Sequence, residues 1–343
     1  MMSDGRPDRQ KKVTSTSQVR PVNAGCAVCR RQTPTMSDGR PDRHLKLCYD
    51  KMKDEIKRSI DHMLETSPIR RTFWHQDEKV EGLRYGIQQG DDGAVVGDLV
   101  YNMEGPYPLK TGRKTGLLHS ITDIIGMGAR PLYAFNAMQV DSIKEAVEVS
   151  EDLKKQANGI GVPIIGGNTQ MENDLKPCIS FVVVGKLIRE PLADCGCRIG
   201  DKIVMVGHVM DGTLGERVYR AKVKYKTMLE LYDEAVDIHA VKDASRGGWF
   251  GNLAEMLVKS KRGFKITAVP YASPTRYMGT YMISVPKKEV DKVVSVAARN
   301  KCPCVEVGQV MKGLYIKLGD EMLVTEARMK KLIRGMPYRK PKK

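Results

Sequence analysis

Short apolar runs of strand length alternate with longer segments of helical periodicity along most of this 343-residue sequence. In the first helical segment, apolar side chains recur at Met52, Ile56 and Ile60, and the segment is expected to end near Ser67-Pro68. Later segments continue the alternation, and a stretch with one Pro, two Cys and two Gly at 189–200 divides them into two series. Alternating strands and helices are typical of α/β domains, so the sequence predicts an α/β (α+β) fold with two domains of about 140 residues each.

Glycine-rich stretches punctuate the first series of elements. We expect a turn at 90–93 that leads into a short strand, and a Gly-rich turn at 166–169 after a buried strand. A helix is predicted over 117–127, and the stretch before it, 112–116, either brings cations to phosphates or forms a solvated loop. The other predictions are helices over 143–159, 247–260 and 289–300, and strands over 132–140, 162–165, 179–184, 202–207, 264–269, 305–311 and 314–318.

Positive charge exceeds negative charge, with 57 Lys and Arg residues against 41 Asp and Glu residues and a net charge of +16. Residues 1–45 carry +5 of this excess and residues 328–343 carry +8, so the body of the chain is nearly balanced. Nucleic-acid-binding domains usually concentrate basic residues on one folded surface, whereas basic ends are more often solvated. The distribution therefore argues against nucleic acid as a partner and favours solvating or docking tails.

Composition and hydropathy indicate a protein of the cytoplasm. The apolar fraction of 41% is that of a folded protein. Apolar runs such as 179–185 fall far below the ~18–20 residues of a membrane span. The first twenty residues are polar and basic, without the apolar core of a secretory signal. We therefore expect no membrane partner, and we do not expect the eight cysteines to form a disulfide framework.

Four potential zinc ligands occur near the start of the sequence. Cys26 and Cys29 have the spacing of a Cys-x-x-Cys motif, and His44 and Cys48 follow them, which resembles a four-ligand zinc pattern. A closed tetrahedral site would order an otherwise weak segment. The alternative is a disordered tail with incidental thiols.

The same region contains a duplicated octapeptide. The string MSDGRPDR occurs at 2–9 and again at 36–43, which indicates a recent duplication or an artificial insertion rather than a structural repeat. We therefore interpret residues 1–45 as a flexible basic arm with a possible zinc clip.

Two Cys-x-Cys pairs lie in distant later segments, at Cys195/Cys197 and Cys302/Cys304. If the segments meet in space, four thiolates could bind zinc or an iron–sulfur cluster. The alternative, which we favour, is that these cysteines are small buried residues beside strands.

Acids and amides stand in Gly-rich turns beside buried segments at three places. These are Asp91-Asp92, the stretch 166–169, and Asp243 at the start of 243–248. A fourth acid, Asp123, lies inside an otherwise apolar helix, where a charge is costly unless it is paired or binds a metal. Oxygen ligands spread over several turns suit Mg²⁺ with a bound nucleotide, and glycines allow the backbone to approach phosphates.

The order and spacing of these stretches resemble one superfamily. It comprises aminoimidazole ribonucleotide (AIR) synthetase, selenophosphate synthetase, the hydrogenase-maturation protein HypE, thiamine-monophosphate kinase and formylglycinamide ribonucleotide amidotransferase. The matching strings are GDDGAVV at 90–96, SITDIIGMGARP at 120–131, IGGNT at 165–169, KDASRGG at 242–248 and VEVGQV at 305–310. The resemblance covers residues 47–320.

The resemblance implies a PurM-like fold of two domains that uses ATP. It also implies a homodimer in which the N-terminal domains pair into a β-barrel, with ATP near that interface. Carried over by position, Asp91, Asp92 and Asp123 would hold Mg²⁺ on the phosphates, and Asp243 would face the transferred phosphate. The predicted nucleotide-contacting residues are Asp91, Asp92, Lys114, Thr115, Asp123, Gly166, Gly167, Asn168 and Thr169.

Departures from the family patterns leave the subfamily open. HypE-like proteins end in a modified cysteine, whereas this sequence ends in RKPKK, although its 243–248 string resembles that of HypE. Selenophosphate synthetases carry a reactive Cys three residues before a Lys, and Cys48 and Lys51 have that spacing without the Gly-rich surroundings. Cys48 is therefore a zinc ligand, a nucleophile or an inert thiol. Cys48, Lys51 and Asp243 are the candidate catalytic residues.

The sequence as a whole predicts an ATP- and Mg²⁺-dependent phosphoryl-transfer enzyme, similar to selenophosphate synthetase and HypE, that activates a small molecule or a protein group. One alternative is a nucleotide-binding assembly partner of an acidic client, without turnover. Another is metal or sulfur trafficking through the cysteine pairs. The expected organisation is a basic arm at 1–45, an N-terminal ATP-binding domain at 46–190, a C-terminal domain at 191–336 and a basic tail at 337–343.

Overall fold

Two β-sheets with helices packed against them form the chain in this computed structural model. The structure describes residues 50, 54, 57–171, 174–270 and 279–341. The proposed zinc ligands Cys26, Cys29, His44 and Cys48, together with Lys51 and the duplicated octapeptide, lie outside the described residues.

The first sheet belongs to the N-terminal half of the chain. Its strands are in the order β1-β2-β3-β6-β4-β5, and β4 and β5 are parallel while the other neighbours are antiparallel. A π-helical turn at Lys57–Asp61 and a 3₁₀ turn at Trp74–Lys79 flank the first helix. The elements are α1 (His62–Phe73), β1 (Leu83–Tyr85), β2 (Ala94–Val96), β3 (Leu99–Pro108), α2 (Leu109–Gly126), β4 (Ala129–Gln139), α3 (Ile143–Ile160), β5 (Ile164–Gln170) and β6 (Cys178–Leu187).

The second sheet belongs to the C-terminal half. Its strands are in the order β13-β12-β9-β11-β7-β10-β8. One core cluster includes α5 and α7, and a second includes α4 and α6 and continues into the N-terminal half. The elements are β7 (Lys202–Val206), α4 (Leu214–Asp233), β8 (Ala240–Asp243), α5 (Gly248–Ser260), β9 (Gly263–Ile266), β10 (Tyr281–Val285), α6 (Val290–Arg299), β11 (Cys304–Met311), β12 (Ile316–Leu318), β13 (Glu321–Val324) and α7 (Glu326–Gly335).

Helix α1 does not end at Ser67-Pro68, as the sequence predicted, but continues to Phe73 with Pro68 inside it. Proline removes a single backbone donor from a helix. The far half of the helix is anchored by tertiary contact, because Arg70 donates from Nη2 to the carbonyl of Ile87 at 3.0 Å. Tertiary contact therefore overrides the local stop signal.

Helix α2 starts eight residues before the predicted Leu117, so the stretch 112–116 is helical and not a loop. A Cβ atom placed on Gly116 would lie 2.2 Å from the ring of Phe181 on β6. The missing side chain lets the helix lie directly on the sheet, and this packing outweighs the low helix propensity of glycine.

The predicted turn at 166–169 is also wrong, because these residues form the middle of the edge strand β5. They pair in register with β4, where Phe135 lies opposite Gly166 and Ala137 opposite Asn168. A Cβ atom placed on Gly167 would lie 2.1 Å from the carbonyl oxygen of Asn136 on β4, so glycine allows the two strands to approach.

One face of the first sheet is apolar and exposed. Met103 is 73% exposed and Phe135 is 37% exposed, and both lie opposite Val182 in the ladders of β6. Ile165 on β5 is 56% exposed. Helix α2 packs against the opposite face, so this apolar face lacks a cover within the described part of the chain.

The described part of the predicted basic tail packs onto the fold. The hydroxyl of Tyr338 donates to Cys195 Sγ at 2.7 Å, and Arg339 donates its backbone N–H to the carbonyl of Gln88 at 2.8 Å. Arg339 also donates from Nη1 to Gln88 Oε1 at 2.9 Å. Tyr338 and Arg339 therefore bind to the folded body of the chain, while the side chains of Arg339 and Lys340 are exposed. Among the described residues, no helix has the length and apolar character to cross a bilayer.

Candidate active site between the two domains

Three carboxylates converge where the two halves of the chain meet. Asp92 lies in the bend before β2, Asp123 lies on α2, and Asp243 is the last residue of β8. One carboxylate oxygen from each lies within 4.8 Å of the others. We call these three residues the acid triad. Clustered carboxylate oxygens are the ligands that Mg²⁺ prefers in proteins.

Tyrosines of the C-terminal half fix the turn of α2 that carries Asp123. Tyr281 donates to the carbonyl of Thr122 at 2.8 Å, Tyr232 donates to that of Ile125 at 2.7 Å, and Tyr225 donates to that of Leu118. The last four carbonyls of a helix lack partners within the helix. Tyr232 supplies one such partner, at Ile125, and the three hydroxyls together fix Asp123 relative to Asp243 of the second domain.

An asparagine joins the two acids of the N-terminal half. Asn102 on β3 donates from Nδ2 to Asp123 Oδ2 at 2.9 Å and to the carbonyl of Asp92 at 2.7 Å. Its side chain is 5% exposed. The amide therefore sets the position of the Asp92 bend relative to helix α2.

The bend that carries Asp92 is held from the opposite side by buried charged groups. Lys259 on α5 donates from Nζ to the carbonyl of Gly90 at 2.7 Å and is paired with Asp194 and, at 3.0 Å, with Glu255. Gly90 has a φ of +55°, which favours glycine. The carboxylate of Asp91 accepts the backbone N–H groups of Asp92 at 2.9 Å and Asp194 at 3.0 Å.

Burial and like charge raise the pKa of most of the carboxyls at this interface. Burial and the charge of Asp92 raise the pKa of Asp243 to about 6. Burial, followed by the charges of Asp243 and Glu104, raises the pKa of Asp123 well above its ordinary value. Burial also raises the pKa of Asp91 to about 6. Burial and neighbouring acids therefore disfavour the ionised forms of Asp123 and Asp243, and a bound divalent cation would favour them.

Lys242, the residue before Asp243, brings a cation into the triad. Its ammonium pairs with Asp92 and lies 4.0 Å from Asp194. Burial alone would lower the pKa of Lys242, but the charges of Asp92, Glu255 and Asp194 raise it well above its ordinary value. Lys242 is therefore charged and ties the second domain to the Asp92 bend.

A histidine links the triad to two polar residues of β3. His119 Nδ1 lies 3.9 Å from Asp123 Oδ2, and His119 Nε2 lies 3.6 Å from Asp243 Oδ2. The hydroxyl of Tyr107 lies 3.3 Å from His119 Nδ1 and donates to Glu104 Oε2 at 2.6 Å. His119 thus contacts acids of both domains.

A cavity of about 220 Å³ opens beside the triad. Its charged and imidazole groups come from three parts of the chain, so the cavity lies between domains. It is lined by Ser59, His62, Glu104, His119, Lys242, Ser245, Arg246, Asn252 and Glu255. This arrangement offers a site for a small polar molecule next to a candidate metal position.

Two family models match the chain. One describes the AIR synthase related protein, N-terminal domain, and matches residues 87–187. The other describes the AIR synthase related protein, C-terminal domain, and matches residues 198–320. Together they cover more than half of the sequence. The chain belongs to the AIR synthase related family.

Relatives of this AIR synthase related chain include a somewhat shorter protein and longer ones. An uncharacterized protein of Methanocaldococcus jannaschii is 46% identical over 287 residues, which is 83% of this chain and 97% of that protein. The phosphoribosylformylglycinamidine synthase subunit PurL of Methanobrevibacter smithii is 23% identical over 77% of this chain. The match covers 44% of that PurL, so the chain spans less than half of its length.

Solved structures share the fold at low identity. PurL of Thermotoga maritima complexed with ATP has a TM-score of 0.64 at 18% identity and covers 88% of this chain and 53% of PurL. The HypE chain of a HypE–HypF complex has a TM-score of 0.59 at 16% identity and covers 72% of this chain and 94% of HypE. These likenesses confirm the predicted two-domain PurM-like architecture of AIR synthase related proteins.

Within this AIR synthase related fold, the predicted site residues separate into two groups. Asp92, Asp123 and Asp243 converge. Asp91 lies beside them, and its carboxylate oxygens accept hydrogen bonds from backbone N–H groups. Lys114 and Thr115 lie on α2 more than two turns from Asp123, which is roughly 12 Å along the axis at 1.5 Å per residue. Their contact with nucleotide stays a prediction.

The stretch 166–169 lies at the far edge of the first sheet from the Asp92 bend. Four strand spacings of about 4.8 Å separate β5 from β2, or roughly 19 Å. Gly167, Asn168 and Thr169 are exposed there. The structure does not bring Gly166, Gly167, Asn168 or Thr169 to the triad within one chain.

The two Cys-x-Cys pairs do not form a common metal site in the described part of the chain. Cys197 is 3% exposed in one core cluster, and Cys302 is 5% exposed in the other. Burial raises the pKa of Cys195, Cys197 and Cys304 to about 11, so these groups are thiols and not thiolates. This outcome agrees with the alternative that they are buried core residues.

Sequence reasoning missed several polar residues of the site, of which Asn102 left the clearest signal. It stands between Val100 and Glu104 on the inward face of a strand, where a polar side chain needs a partner. Lys242 lies in the KDASRGG string at 242–248, but sequence reasoning assigned it no function. Asp194, Glu104 and Lys259 left no local signal, since only the assembly of both domains brings them to the triad.

Proposed function

We propose that this chain is an ATP- and Mg²⁺-dependent phosphoryl-transfer enzyme with its active site at the acid triad. The observation that carries the proposal is the convergence of Asp92, Asp123 and Asp243 from two domains within 4.8 Å. The solved PurL complex with ATP supports a nucleotide as the phosphoryl donor, since that protein shares the fold.

The residues present fit a magnesium ion. The three potential ligands are carboxylates, and Asp243 Oδ2 is buried and accepts no hydrogen bond from the described residues. Burial and neighbouring acids raise the pKa values of Asp123 and Asp243, and a bound cation would favour the ionised forms of both. Asp92, Asp123 and Asp243 would hold the ion, which when bound would neutralise charge on the transferred phosphoryl group.

The chain's own residues position the reactants. Lys242 holds the Asp92 bend against β8, and the tyrosine hydroxyls hold Asp123 against the second domain. Protein side chains from both domains line the cavity next to the triad. Positioning and fixed charge supply most of the catalysis in this class of reaction.

Within this class of enzyme, we assign the chain to the selenophosphate-synthetase/HypE-like type, which activates a small molecule or a protein group. The KDASRGG string at 242–248 and the HypE fold likeness support the HypE side of this assignment. Cys48 and Lys51 are the proposed nucleophile and its neighbouring cation on the selenophosphate-synthetase side. In the alternative, the chain binds nucleotide without turnover and docks an acidic client through its basic ends.

We also propose that the enzyme is a homodimer. The apolar face that carries Met103, Phe135 and Ile165 would be covered by the same face of a second copy. Large exposed apolar patches mark interaction sites. Pairing of N-terminal sheets is what the family resemblance implies.

The test is binding and turnover of ATP by the full chain. We expect Mg²⁺-dependent binding of a non-hydrolysable ATP analogue in isothermal titration calorimetry, and release of ADP from ATP. Asp92→Asn should lose both, whereas Asp98→Asn, an exposed acid in the next turn, should keep both. Absence of nucleotide binding by the wild type would refute the proposal, and tight binding without ADP release would favour the assembly-partner alternative.

A further inference from the structure

One wall of the cavity beside the acid triad is formed by Arg246 and His62. Arg246 lies in the turn after β8, and His62 is the first residue of α1. Arg246 Nη1 lies 3.1 Å from His62 Nδ1 and 2.9 Å from His62 Nε2, so the guanidinium lies across the imidazole ring. Among the described residues, the guanidinium of Arg246 therefore contacts an imidazole and not a carboxylate.

The turn that presents Arg246 is fixed from below by a buried amide. Asn252, which is 2% exposed, donates from Nδ2 to the carbonyl of Arg246 at 3.0 Å and to that of Gly248 at 2.7 Å. Gly248 donates its backbone N–H to the carbonyl of Ser245 at 3.2 Å. Helix α5 begins at Gly248, and its N-terminus adds a positive dipole end to this side of the cavity.

The size of the cavity limits its occupant. Its volume of about 220 Å³ lies below the roughly 300–1,000 Å³ of pockets that hold drug-sized ligands. A small organic anion fits within this space, whereas a whole nucleotide would extend beyond it. The dimensions of the cavity therefore favour a small second molecule over the body of a nucleotide.

We propose that this cavity binds the second substrate, and that this substrate is a small molecule with a carboxylate or phosphate group held by Arg246 and His62. A planar guanidinium binds such oxyanions through paired N–H donors. Held in this way, the rest of the molecule extends toward Asp243 and the triad. The assignment rests on the proposed phosphoryl transfer and adds the charge class of the acceptor to it.

The first experiment titrates inorganic phosphate into the full chain in Mg²⁺-free buffer and measures heat of binding. We expect saturable binding that Arg246→Gln weakens by at least about tenfold, as loss of a charge-assisted contact requires. Arg246→Lys keeps the charge and should weaken binding less. Lys287→Gln, which removes an exposed cation from the same domain, should leave binding unchanged. Equal affinities of wild type and Arg246→Gln, or no binding by either, would overturn the proposal.

The second experiment repeats the titration with saturating Mg²⁺ and a non-hydrolysable ATP analogue. Phosphate affinity within about threefold of the first value would support a separate acceptor subsite, since that change is under 1 kcal/mol. Competition between phosphate and the analogue would show that Arg246 holds the nucleotide's own phosphates, and the acceptor assignment would be wrong. If the analogue does not bind, the proposed function fails while the Mg²⁺-free titration still decides the anion site.

Discussion

Lys242 and Asp92, 150 positions apart in the sequence, form an ion pair across the boundary between the two domains. The pair places an ammonium inside a group of carboxylates whose mutual repulsion would otherwise be larger. Lys242 therefore allows the acid triad to persist in the protein alone. It also makes the geometry of the triad depend on contact between the domains.

Removal of one triad charge is expected to stabilise the protein. Asp243 has a folded pKa of about 6 against an ordinary value of 3.8, so the folded state binds more protons between these pH values. Stability therefore falls as pH rises through this window, and the ionised group costs about 1–3 kcal/mol above it. Asp243→Asn should raise the free energy of unfolding by this amount at pH 8 in EDTA, as measured by urea denaturation.

Two comparisons check the origin of this stabilisation. Asp320→Asn, at an exposed turn, should change the free energy of unfolding by less than about 0.5 kcal/mol. Mg²⁺ should stabilise the wild type and not Asp243→Asn. A destabilised Asp243→Asn at pH 8 would contradict the repulsion argument.

Lys259 is expected to be the most sensitive charged residue behind the triad. Its side chain and that of Asp194 are both 0% exposed and paired. Lys259→Met would leave Asp194 as a buried, uncompensated charge, so we expect a loss of about 3–5 kcal/mol in the free energy of unfolding. Thermal and urea denaturation measure this loss. Lys261→Met, two residues on and exposed, serves as the control, and equal small effects of both substitutions would refute the role of Lys259.

The buried lysine of α4 predicts a pH dependence of stability. Burial lowers the pKa of Lys224 from 10.5 to about 7, and its ammonium lies 4.8 Å from the centre of the Tyr281 ring. Between these pH values the unfolded state binds more protons, so stability rises with pH by up to about 1.4 kcal/mol per unit. The free energy of unfolding of the wild type minus that of Lys224→Met should therefore increase from pH 7 to pH 10. A flat difference would contradict the prediction.

The exposed apolar face of the first sheet predicts the oligomeric state. Met103→Glu places a charge at its most exposed apolar position and should convert a homodimer into a monomer, as measured by light scattering during gel filtration. Lys154→Glu, which reverses an exposed charge on helix α3 away from this face, should leave the dimer intact. A monomeric wild type would remove the dimer proposal.

Much of the fold could be predicted because the sequence patterns are local. Helix α3 and strands β6 and β7 lie close to their predicted bounds, since apolar period and length define them. Helix α2 and strand β5 were misjudged at their glycines. At these glycines the backbone conformation depends on packing against Phe181 and on pairing with β4. Both partners are too distant in the sequence for a local pattern to reveal them.

The site could be predicted as far as its acids. Asp92, Asp123 and Asp243 lie in strings whose order resembles one superfamily, and they converge. The residues that hold them, such as Lys259 and Tyr281, come from elements more than 150 residues away in the chain and carry no motif. Their roles arise only from the packing of the two domains.

The division of the acid triad between two domains links cation affinity to the packing of the domains. An ion that contacts Asp92, Asp123 and Asp243 together stabilises the packed arrangement. By thermodynamic reciprocity, a substitution that weakens the packing lowers the cation affinity by the same factor. Cation binding and domain packing therefore share one coupling free energy.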